Sequence, residues 1–81
     1  MTTPLLDVIA VAIEPPYRLL LTFENGEMRR FDMAPLLASK PYLGLADPAQ
    51  FAQAYITAGT VAWPGDIDIA PETLYDRSQP L

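Results

Sequence analysis

The chain is 81 residues long, carries a formal net charge of −5 and contains neither cysteine nor histidine. That size holds one domain, whose core needs most of its elements at once. The missing residues exclude disulfides, thiolate nucleophiles, thiolate metal sites and imidazole-based triads, and the acidic balance repels phosphate backbones and anionic membranes.

After a loose end over residues 1–4, Leu5 to Ile13 is a run rich in β-branched residues, apolar on both faces, which predicts a central or doubly covered strand. Glu14-Pro15-Pro16 ends it, because proline cannot donate to a ladder. Tyr17 to Phe23 and Glu27 to Met33 are two further extended runs meeting at Asn25-Gly26, the strongest short-range hairpin signal. A three-residue loop, Glu24-Asn25-Gly26, with Gly26 left-handed in a bulge, pairs Leu19 with Phe31 and Tyr17 with Met33. That register puts Tyr17, Leu19, Leu21, Phe23, Phe31 and Met33 on one face, whereas a two-residue loop sends Phe31 and Met33 to the other. Arg29 and Arg30 then point to opposite faces and form no patch.

Asp32 is placed to cap a short helix over Met33 to Ala38, with Pro35 in its first turn, and Ser39-Lys40-Pro41 closes it. Tyr42 to Leu45 is a loop with apolar anchors. Asp47-Pro48 is the clearest helix start, predicting a helix to about Ala54 that turns Phe51, Ala52 and Tyr55 toward the sheet. Tyr55-Ile56-Thr57 and Thr60 to Trp63 flank Ala58-Gly59 as a second hairpin. Pro64-Gly65 breaks the chain. The alternation in Asp66-Ile67-Asp68-Ile69 turns the isoleucines inward and the aspartates outward. Pro71 to Tyr75 is a last helical turn sending Leu74 and Tyr75 to the core, and residues 77–81 form a polar, frayed end.

The chemistry on offer is narrow. Ser39 and Lys40 are adjacent and diverge on a helix, so they make no nucleophile-base dyad. No glycine-rich phosphate loop or other cofactor motif is present. Asp66, Asp68, Glu72 and Asp76 form the one acidic constellation; a hard cation such as calcium takes oxygen ligands, but the spacing does not match a calcium loop, and a solvated acidic edge accounts for it. Trp63 is either a core plug or an interface anchor. With 51% apolar residues in so small a chain, either some apolar surface is left for a partner or the protein is a compact monomer with scattered exposed side chains.

Asn25-Gly26-Glu27, Phe31-Asp32, Asp47-Pro48 with Phe51, and Trp63-Pro64 followed by Asp66-Ile67, Ile69 and Pro71-Glu72 with Leu74-Tyr75 resemble a bacterial family, domain of unknown function twenty-four forty-two, from about Val8 to Tyr75. The resemblance implies a small α+β fold similar to the N-terminal domain of an uncharacterised protein from a nitrifying bacterium. A helix-turn-helix follows that domain there, and DNA binding is not carried over here. Family members are often encoded beside a small toxin-like protein, which implies an antitoxin-like role, and no catalytic residues come with the resemblance.

The expectation is therefore an α+β domain: an N-terminal three-stranded antiparallel meander, short helices, a second pair of strands and a C-terminal helical turn. Its expected role is that of a cytoplasmic protein-binding module, not an enzyme, contacting a protein partner through Trp63, Asp66, Asp68 and Glu72, with no direct nucleic-acid or membrane partner. A self-associating homodimer is the first alternative. A weak divalent-metal or small enzymatic domain using the acidic edge is the second.

Overall fold

The computed structural model describes residues 6–81; the expected loose end over 1–4 lies outside them. Two antiparallel sheets share one core. The first has the order β1-β2-β3-β7, with β1 Val8–Glu14, β2 Arg18–Phe23, β3 Met28–Asp32 and β7 Gln79–Pro80. The second is the meander of β4 Tyr55–Thr57, β5 Thr60–Trp63 and β6 Ile67–Ile69. Helices α1, Pro48–Phe51, and α2, Pro71–Arg77, complete an α+β architecture.

The hairpin is bulged as the sequence predicts. Leu19 pairs with Phe31, the Met33 amide donates to the Tyr17 carbonyl at 2.8 Å, and Gly26 sits at φ 86°. A side chain at that φ carries a steric penalty that glycine escapes. Leu19, Leu21, Phe23, Phe31 and Met33 are buried on the inner face, where they join Val8, Leu45, Phe51, Val61, Trp63, Ile69 and Leu74 in one cluster.

Five expectations are corrected. β1 is an edge strand, with Ile9 57% exposed, because β7 joins the sheet beside β3 and leaves β1 with β2 as its single strand partner. The helix expected over Met33 to Ala38 is a 3-10 turn over Ala34–Leu36, and Asp32 Oδ1 accepts from the Ala34 amide at 3.0 Å. Helix α1 begins as expected, with Asp47 accepting from the Ala49 amide, but ends at Phe51; Ala52 and Tyr55 are exposed, since Tyr55 opens β4 instead. Residues 77–81 are tied down rather than frayed, for Arg29 and Arg30 pair with Pro80 and Gln79 and Ser78 is buried. The expected second pair of strands is accordingly a sheet of three, since β6 pairs with β5.

A polar clamp holds that tail. Arg29 lies over the Tyr75 ring at 4.4 Å, donates from Nε to Ser78 Oγ at 2.6 Å and from Nη2 to the Ser78 carbonyl at 2.9 Å, and pairs through Nη1 with Glu27 at 2.6 Å. Tyr75 donates its hydroxyl to the same Glu27 at 2.9 Å. Charge-assisted bonds of this kind are stronger than neutral ones, and Arg29 is the hub of four contacts.

Candidate functional site

Trp63 is a core side chain. It is 1% exposed, lies 5.9 Å from the Phe51 ring and donates from Nε1 to the Phe51 carbonyl at 2.9 Å. Phe51 in turn meets Tyr17 edge-on at 5.6 Å. The partner-contact expectation therefore does not hold for Trp63: its polar handle is satisfied inside and no face is left for a partner.

The three acidic positions do lie outside. Asp66 occupies the turn between β5 and β6 at φ 62°, directly after Gly65 at φ 97°. Aspartate tolerates the left-handed region better than most side chains, which gives it a turn-forming reason to be there. Asp68 projects outward from β6, and its carbonyl accepts from the Tyr42 hydroxyl at 3.1 Å. Burial, and then the Asp68 charge, push the Tyr42 hydroxyl above its ordinary pKa. Glu72 is exposed in the first turn of α2, where a negative charge meets the positive end of the helix dipole. Among the described residues no three carboxylates come together to hold a metal ion.

A second surface is the free edge of β1. At its start the Val8 amide donates to the Gly59 carbonyl at 2.8 Å, which ties that end to the β4–β5 turn. From Ile9 to Glu14 no described strand covers the outer edge. Such an edge presents unpaired backbone donors and acceptors to any extended chain. The devices that usually blunt an edge are scarce here: the strand reads VIAVAIE, with no lysine or proline, and its one irregularity falls between Val8 and Ala10. Its apolar character was legible; its position was not, because that depends on where the distant Gln79–Pro80 segment docks.

A family described as "Protein of unknown function (DUF2442)" matches residues 8–80. The chain belongs to this family. Its match takes in both sheets and the tail strand, so the DUF2442 unit and the fold described above coincide. No curated protein and no solved structure matches the chain. Among the described residues no helix is long and apolar enough to cross a membrane.

Proposed function

We propose that this DUF2442 domain is a protein-binding module that takes an extended segment of a partner alongside β1. The supporting observation is the uncovered edge from Ile9 to Glu14, beside an exposed Ile9. Strand addition of this type draws affinity from main-chain hydrogen bonds and specificity from alternate side chains. The net charge of −5 favours a basic partner through long-range attraction. An antitoxin-like role, in which the partner is a small toxin-like protein, is the finer form of this reading.

The test uses Ala10→Lys and Ala12→Lys, both at exposed positions, where a lysine obstructs edge pairing without entering the core. Affinity purification from the native host is expected to yield one stoichiometric basic partner with the wild-type chain and none with either variant. Equal recovery by all three would assign the contact to another surface.

A second reading is a homodimer, and one observation favours it. Ile9-Ala10-Val11-Ala12-Ile13 reads the same in both directions. Two copies of β1 paired antiparallel about Val11 set Ile9 against Ile13 and Ala10 against Ala12, as a two-fold interface requires. Light scattering after size exclusion at micromolar concentration separates the readings: a dimer that Ala12→Lys dissolves supports self-association, and a monomer removes it.

A further inference from the structure

The outward face of the first sheet gathers cations that the sequence keeps apart. Alternate residues of a strand share a face, so Arg18 of β2 projects with Arg30 and Asp32 of β3 from the side opposite the core. Arg18 stands beside Asp32 in the ladder, and Arg30 stands beside Gln79 of β7. Arg77, at the end of α2, reaches the same place. Together Arg18, Arg30, Asp32, Arg77 and Gln79 line an open cavity of about 350 Å³. Three of the five basic residues thus meet in one depression of a chain whose net charge is −5.

Arg30 is committed in part, to Glu14, through Nε at 2.6 Å and Nη2 at 3.1 Å. Arg18 and Arg77 make no ion pair among the described residues. Three guanidinium groups against the carboxylates of Glu14 and Asp32 leave one positive charge in excess. Guanidinium groups present fixed forks of N–H donors that match oxyanions two bonds at a time, and the Gln79 amide adds a neutral donor.

We propose that this cavity binds a small phosphate-type oxyanion. Asp32 narrows the class further. One of its oxygens already accepts from the Ala34 amide, and its remaining acceptor capacity can take a hydrogen from a ligand that carries one. A protonated phosphate carries a P–OH and supplies it; sulfate has the same shape and only acceptors. The same group could also arrive on a phosphorylated macromolecule. A short single-stranded oligonucleotide tests that source and is expected to fail, because the acidic chain repels a polyanion.

The experiment is calorimetric titration of the full chain, at neutral pH and matched ionic strength, with sodium phosphate, sodium sulfate and the oligonucleotide. Saturable one-to-one binding of phosphate is expected, with sulfate about tenfold weaker. Arg18→Gln and Arg77→Gln should each weaken phosphate about tenfold, the loss of one charge-assisted contact. Circular dichroism should stay unchanged, since both side chains are exposed. Asp32→Asn should close the gap between phosphate and sulfate. No saturable heat with phosphate up to roughly 10 mM, or arginine variants that bind as well as wild type, would overturn the site. Equal affinity for phosphate and sulfate in the wild type would overturn the role given to Asp32.

Discussion

Replacing Trp63 separates a core plug from a surface anchor, and the structure sets the scale. The side chain is 1% exposed, so Trp63→Ala empties a fully enclosed volume. Truncating a buried aromatic to alanine costs about 3–5 kcal/mol. The total stability of a domain this size is about 4–12 kcal/mol, from roughly 0.05–0.15 kcal/mol per residue. Trp63→Ala therefore removes between a quarter and all of the folding free energy. Trp63→Phe is the gentler probe, keeping a ring against Phe51 while deleting the indole donor. The Phe51 carbonyl then retains the Ala54 amide at 3.4 Å, so the lost bond costs toward the low end of the usual range, about 1–2 kcal/mol. At roughly 4–8 °C per kcal/mol for a domain of this length, Tm should fall by about 5–15 °C. Urea titration followed by far-ultraviolet circular dichroism reads both variants without needing the lost fluorophore. If Trp63→Ala and Trp63→Phe both unfold within about 0.5 kcal/mol of wild type, the scatter normal for surface substitutions, the core assignment of Trp63 is wrong.

Three further outcomes follow from contacts described above. Arg29, and then Tyr75, hold the Glu27 carboxyl below its ordinary value of 4.5, and Arg30 does the same for Glu14. Carboxylates lowered in the folded state stabilise it above that value and lose the contribution as pH falls through their folded pKa. The urea midpoint should therefore drop below about pH 4.5, and more steeply in wild type than in a Glu14→Gln, Glu27→Gln double variant; parallel curves would refute this. Arg29→Met removes the hub of the tail clamp and should cost about 2–3 kcal/mol. It should also speed hydrogen exchange at the Leu81 amide, which donates to the Met28 carbonyl at 3.2 Å; unaltered exchange would deny the clamp its role. Gly59 sits at φ 76°, and a Cβ there would lie 2.5 Å from Asp7 Oδ1. Gly59→Ala should cost about 1–2 kcal/mol in left-handed strain, and adding Asp7→Ala should recover only the clash; no loss at all would contradict the geometry.

Local signals proved readable and distant ones did not. The Asn25-Gly26 bend, its bulged register and the buried face from Leu19 to Met33 follow from rules that act over a few residues. So do the Asp47-Pro48 helix start and the alternation that buries Ile69. The tail reads as frayed because Ser78-Gln79-Pro80 carries no periodic pattern; its order comes from Arg29, 49 residues before Ser78 in the chain. β1 reads as central for the same reason, since its edge position depends on where Gln79–Pro80 docks. For Trp63 the sequence admits both a core and an interface position, and the Phe51 carbonyl that accepts its indole N–H decides for the core. The arginine-lined cavity was partly legible, since the register sets Arg18 beside Asp32, but Arg77 and Gln79 join it only once the tail has docked.

A two-residue strand is a weak latch. Held by two ladder positions and the Arg29 clamp, β7 can open while the rest of the sheet stays closed, as short terminal segments commonly do. Gln79 leaves with it while Arg77 stays on α2, so the cavity keeps its full lining only while the latch is shut. A phosphate bound in the cavity would draw the latch closed by mass action, and hydrogen exchange at the Leu81 amide, which donates to the Met28 carbonyl at 3.2 Å, should slow when phosphate is present. That amide is then a reporter of occupancy, readable as a rate of exchange without any label.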